Sequence, residues 1–348
     1  MAYRYWVGGP GSWDASDTSH WAETPGGSPG ASVPTSVDEV LFDGNSGGTV
    51  AVSFGANASC KVVSFGGPYV TLDFQGAYAI SIAGDVTLFR VTIVDPPASG
   101  AFIVTGDCTF RSYGFDAGGV VIAGGTTTLA DDLWCSGSLV CSSGGVFDTA
   151  GYAVSVGQFR STDAGASTVL NGSVVTVTGA GAAWDFVAGA LSAGTSTIKF
   201  TNTSAAIRSF NGGGKTYHNV WFSGAYGGTL SITGSNAFSD FRSDAGLHVI
   251  EFMADSTQSV ETLTLGGAGA GARTTLRSDS NGSAWHLACA TGDIACEWLL
   301  LKDSHASGGA TFTATSSTDG GGNSGWTIVA PATPPAGDRR VRLTYIRR

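Results

Sequence analysis

Short runs of alternating apolar and polar residues recur along the chain, most of them meeting a glycine before a second run begins. They are SIAGDVTLFR (81–90), IVTGDCTFRS (103–112), VVIAGGTTTL (120–129), VSVGQFRS (154–161), VVTVTGAGAAW (174–184), LSITGSNAFSDFRS (230–243) and LTLGGAGAGARTTLRS (263–278). A period of two is the pattern of a strand with one buried face. The glycines fall at 84, 106, 124, 157, 179, 234 and 266, at intervals of 22, 18, 33, 22, 55 and 32. That spacing fits one solenoid coil or a coil with an insertion, and it predicts an all-β fold, a parallel β-solenoid (β-helix). Each coil contributes two or three short strands, turns at Gly, Asn or Asp, and stacks inward Val, Ile, Leu and Phe on the coil before. One coil cannot bury its own face, so the ends need caps.

The N-terminal stretch RYWVGGPGSWDASDTSHWAE (4–23) sets Trp6, Trp13 and Trp21 seven and eight residues apart among glycines that break any helix. Two uses compete for these rings: a sugar-binding platform, or apolar plugs that seal the first coil. The solenoid favours plugs, because an uncovered first coil exposes an apolar cross-section and open strand edges. The Pro/Gly/Ser-rich segment 22–48 is read as a connector leading into VDEVLF, the expected first strand. DGGGNSGWTI (319–328) closes the other end with Trp326, and PATPPAG (331–337) follows as a stiff linker. The expected organisation is a cap and connector over 1–48, a solenoid over 49–329, and a linker with a basic strand over 330–348.

Composition supports strands. The chain of 348 residues holds 53 glycines but only four Lys, five Glu, three Gln and two Met, so long helices are not expected. Charged residues are 13% against 42% hydrophobic, enough to bury a continuous core. The formal net charge of −10 argues against a duplex nucleic-acid binder. MAYRYWVGGPG lacks a secretory signal pattern and no apolar run approaches a membrane helix, so no membrane partner and synthesis in the cytoplasm are expected. The six cysteines at 60, 108, 135, 141, 289 and 296 include no CxxC pair, which favours buried thiols. Cys289 and Cys296, flanking ATGDIA, are the best disulfide candidates.

Catalytic chemistry finds little purchase. Asp131 and Asp132 are adjacent and would point to opposite faces of a strand. Asp240 with Asp244, or Asp255 with Asp279 a coil away, could converge as a glycosidase pair, although acidic residues at solenoid turns are ordinarily turn formers. The histidines at 20, 218, 248, 286 and 305 form no HExxH or HxH group. GGAGAGAR (266–273) has no lysine at the P-loop position and reads as a loop. No metal site, no cofactor and no catalytic residue are expected. Exposed aromatics are candidates for glycan binding: Tyr217 and Trp221 in KTYHNVWFSG, where Tyr217, Asn219 and Trp221 alternate onto one face, and Trp285 in SAWHLAC. Packing competes as their role.

RYWVGGPGSWDASDTSHW with ASVPTSVDEVLFDGNS, then GGGKTYHNVWFSG (212–224), LSITGSNAFSDF (230–241) and DSHASGGATFTATSSTDGGGNSGWTI (303–328), resemble β-helical virion proteins of tailed phages and prophages. Related phrases occur in bacterial β-helix surface adhesins. The resemblance implies a virion structural component and carries no catalytic residue across. The expected function is a non-enzymatic tail fibre or tail spike type protein serving architecture or host attachment. Capsid decoration, a glycan-cleaving tail spike and a bacterial surface adhesin are the alternatives.

The resemblance further implies partners. Other virion proteins, a homotrimer and a host surface glycan are expected. The last feature is DRRVRLTYIRR (338–348): Arg339, Arg340, Arg342, Arg347 and Arg348 fall in the last ten residues, while the preceding 338 hold 12 of the 17 Lys and Arg. Val341, Leu343 and Tyr345 alternate with Arg340, Arg342 and Thr344, as in a half-buried strand. Such a strand could add to a sheet edge of a neighbouring virion protein, or fold back on its own acidic solenoid or its trimer mates; packaged DNA is a third recipient.

Overall fold

The computed structural model describes residues 1–332 apart from 225, 226, 245 and 247. Among the described residues there is no helix, and parallel strands stack as a β-solenoid of about 13 turns. Strands occupy three faces. The first runs from Tyr3–Trp6 through Glu39–Phe42, Val62–Phe65 and Val86–Leu88 to Ala190–Ser192. The second starts with Gly11–Trp13, Thr49–Phe54, Tyr69–Asp73 and Val91–Val94, and the bridge between Asp116 and Trp134 carries it into Leu133–Cys141. The third runs from Ala58–Cys60 and Ile80–Ile82 to Leu299–Leu301 and Thr318–Asp319. From Glu39–Phe42 onward, register partners on the first face lie from 19 residues (Cys108 with Thr127) to 24 (Val86 with Phe110) apart, while Tyr3 and Glu39 are separated by 36.

The alternating pattern becomes columns. Val40, Val63 and Val86 are in register and fully buried, each resting on its counterpart one coil away. Aromatic columns do the same: Phe42 stacks on Phe65 at 4.8 Å, Phe54 on Phe74 at 4.5 Å, and Phe159 on Trp184 at 4.2 Å between ring centroids. Burying each such side chain stabilises by about 1.5–3 kcal/mol. Long strands bend around corners and serve two faces. Leu133–Cys141 pairs with Val154–Ser161 on both sides of a bulge between Cys135 and Ser138.

The three tryptophans cap the first coil. Trp6 lies 5.5 Å from Phe42 and Trp13 5.6 Å from Phe54, while Trp21 meets both tryptophans edge-on at 5.1 and 4.9 Å. The expected start of the ladder at VDEVLF needs correction. Tyr3–Trp6 already pairs in parallel with Glu39–Phe42, and Gly11–Trp13 with Thr49–Phe54, so the cap is itself a coil and stacking continues across residue 48. Trp21–Ala22 then turns back and pairs antiparallel with Tyr3–Trp6, which covers the free edge. The connector is fastened down rather than loose: the Arg4 guanidinium donates to Ser32 O and Oγ, and Asp38 accepts from Ala2 N and from Thr35 N and Oγ1.

At the other end Trp326 packs against Phe312 at 5.5 Å and its indole donates to Ser304 Oγ at 3.0 Å. All six cysteines are free and buried, the favoured reading, and the candidate Cys289–Cys296 disulfide is not formed. They sit on separate runs, one after Trp285–Ala288 and one inside Asp293–Glu297, each turned into the core. Burial pushes the Cys60, Cys135, Cys141 and Cys296 thiols up to about 12. Arg339, Arg340, Arg342, Tyr345, Arg347 and Arg348 lie outside the described residues.

Candidate ligand-binding surface

Two of the three glycan-binding candidates lie inside the solenoid. Tyr217 and Trp285 are each 1% exposed. The Tyr217 hydroxyl donates to Gly212 O and accepts from the Trp184 indole, and Trp285 stacks on Phe252 at 4.0 Å. The predicted alternation of Tyr217 with Trp221 fails at a corner. His218 and Asn219 both face outward, so Tyr217 points inward with Val220 and Phe222 while Trp221 points out.

Trp221 stands in an outward column of the second face, with Lys199 one coil before and Arg242 one coil after. Lys199 Nζ is 4.0 Å and the Arg242 guanidinium carbon 4.4 Å from the ring centroid. The indole donates to Asp244 Oδ1 at 2.9 Å. Beside this column, Thr197, Asn219 and Asp240 floor an open groove of about 420 Å³. Cations on the neighbouring coils flank the ring, so its faces are not free to stack on a sugar. Arg242 pairs with Asp244 at 3.2 Å, which compensates its charge.

The candidate acid pairs are anchors between coils. Asp131 accepts from the backbone N–H groups of Ser112 and Tyr113, Asp132 from that of Ala153, and Asp279 from that of Ala254. Asp240 accepts from Thr262 Oγ1, and Asp244 from Gly224 N–H as well as the Trp221 indole. Asp255 occupies a corner with φ of 58°. Each bond ties one coil to the next, the job of a turn carboxylate. Ser243 and His248 lie 3.1 Å apart but are both buried at 3% exposure. Burial first, then the nearby Arg208 charge, holds His248 down to about 4, so it is neutral.

A second surface was not singled out from sequence. Tyr69, Tyr113 and Trp134 are 58%, 50% and 49% exposed. Near the first two, Phe89 and Tyr113 meet edge-on at 5.5 Å, Arg90 lies 5.0 Å from the Tyr69 ring and 4.9 Å from the Phe89 ring, and Arg111 lies 5.6 Å from the Tyr113 ring. The signal was present in the repeated phrases: five of the seven end in LFR, FRS or LRS, at Arg90, Arg111, Arg160, Arg242 and Arg277. Reading those phrases only for apolar alternation passes over the arginine near the end of these five.

Comparison with protein-family models, curated proteins and solved structures finds no match for the chain.

Proposed function

We propose that the protein is a non-enzymatic β-helical component of a phage particle, of the tail fibre or tail spike type, serving architecture or host attachment. The observation that carries this reading is the use of its acidic side chains. Asp131, Asp132 and Asp279 hold the backbone of the neighbouring coil, so the carboxylates weighed as catalytic serve the rod itself. A continuous ladder with one end covered by three tryptophans is suited to carrying load along its axis. In this reading the arginine-rich residues 338–348 anchor the rod to other virion proteins, and three copies associate.

Antibody labelling of intact particles, imaged by electron microscopy, tests the proposal. Label at the tail is the expected result. Label on the head identifies a capsid decoration protein, and label on bacterial cells without particles identifies an adhesin. Release of reducing ends from host polysaccharide by the purified protein overturns the non-enzymatic reading.

A further inference from the structure

Five of the seven repeated phrases carry an arginine at or next to their last position, and the surroundings divide these arginines. Arg160, Arg242 and Arg277 are each paired with a carboxylate: Asp185 at 3.5 Å, Asp244 at 3.2 Å and Glu251 respectively. Arg90 and Arg111 have no ion pair among the described residues and lie beside exposed rings instead. Asp131 stands at the same corner, accepting from the N–H groups of Ser112 and Tyr113, and pairs with neither guanidinium.

That corner has a cleft. Ser64, Phe65, Gly66, Thr87, Phe89 and Tyr113 line about 360 Å³ of open space, within the range of small-molecule clefts. Ser64, Thr87 and Arg111 are in register on three successive coils, so two hydroxyls lead along the outer face to a guanidinium. The rings of Phe89 and Tyr113 supply apolar walls. Arg90 and Tyr113 also hold left-handed backbone conformations, with φ of 61° and 51°. The same conformation recurs at Gln75, Ala150, Asn171, Asp255 and Asp303, so here it turns the chain at a corner.

We propose that this cleft is a subsite for an acidic polysaccharide. A sugar ring packs against Tyr113, whose ring has Arg111 at 5.6 Å where the Trp221 ring has two cations at 4.0 and 4.4 Å, with Phe89 as the adjoining wall; its hydroxyls meet Ser64 and Thr87, and its carboxylate pairs with Arg111, with Arg90 engaging the next acidic residue along the polymer. A guanidinium suits a carboxylate because it donates two parallel hydrogen bonds. The inference rests on the host-attachment reading and names the ligand class for it.

Affinity electrophoresis of the full chain through gels containing polygalacturonate, hyaluronate or polysialic acid tests it, with neutral dextran as control. At least one acidic polymer is expected to retard the protein while dextran does not. Tyr113→Asn, which tolerates the left-handed backbone, and Arg111→Gln are each expected to weaken that binding at least tenfold, and Trp221→Ala to leave it unchanged. Retardation by none of the three polymers overturns the proposal. So does equal retardation of the variants, or loss with Arg111→Gln alone, which marks charge attraction without a ring contact. Tyr113→Asn that instead abolishes association between copies in light scattering assigns the patch to a protein contact and overturns it too. Particle labelling is an independent readout: a labelled tail with no polysaccharide binding leaves the attachment or architectural role standing and removes this subsite.

Discussion

At the scale of single residues, the solenoid is limited by how closely two coils approach. A Cβ on Gly106 would stand 2.3 Å from Ala83 O, and one on Gly157 2.3 Å from Ser136 O. Both obstacles are backbone atoms of the coil below, so neither can rotate away. Gly106→Ala should therefore force the coils apart and cost about 1–3 kcal/mol, as overpacking does in other cores. Gly48 provides the contrast, since its added Cβ meets nothing within 4 Å. Gly48→Ala should stay within about 0.5 kcal/mol of the parent. Urea unfolding of the two variants makes the comparison, and equal stabilities would mean that close approach does not explain the glycines.

At the scale of the element, side-chain hydrogen bonds to backbone decide which segments hold. Burial alone raises the Asp38 carboxyl, yet the Thr35 hydroxyl and N–H, the Ala2 N–H and the Arg4 charge together bring it below the ordinary carboxylate value. Asp244 behaves alike: burial raises it, and Gly224 N–H, the Trp221 indole and Arg242 more than reverse that. A carboxyl whose folded pKa is depressed contributes stability above its unfolded value of about 4, and that contribution is lost as pH falls through the folded pKa. The connector beside the cap should thus loosen on acidification below about pH 4. Tryptophan emission followed against pH should shift to the red there, and Asp38→Asn should lose roughly 1 kcal/mol at neutral pH with a weaker acid dependence. An acid profile unchanged in Asp38→Asn would remove Asp38 from this role. Elements also mark how far the sequence could be read. The strands of the repeated phrases and the inward Val and Phe columns were legible because alternation holds along a straight strand. The inward turn of Tyr217 was not, because His218 and Asn219 face outward in succession at a corner and shift the phase. Nor was the first coil: its partner strands, Tyr3–Trp6 and Glu39–Phe42, are separated by the long connector, and sequence spacing gives no sign that they pair. Exposure of the Arg90 and Tyr113 corner depends on which coil lies beside which, and no local pattern encodes that.

At the scale of the whole molecule, the reversed strand at the N-terminus sets where stacking stops. Every ladder below it could accept another parallel coil, but Trp21–Ala22 runs antiparallel to Tyr3–Trp6 and covers that edge. Beneath it, Trp6, Trp13 and Trp21 are all at most 1% exposed and cover Phe42 and Phe54. Removing residues 1–37 would uncover those rings together with the edges of Glu39–Phe42 and Thr49–Phe54. Unpaired parallel edges over an apolar cross-section are templates for association. The truncated chain should therefore form concentration-dependent species larger than those of the full chain in size-exclusion light scattering. Trp13→Ala keeps the reversed strand and removes one plug, so it should lower stability by about 3–5 kcal/mol without creating the same large species. The pair of variants separates the two jobs of the cap, closing the edge and filling the coil. A truncated chain that remains the size of the full chain, with the same melting temperature, would show that the tryptophans close nothing.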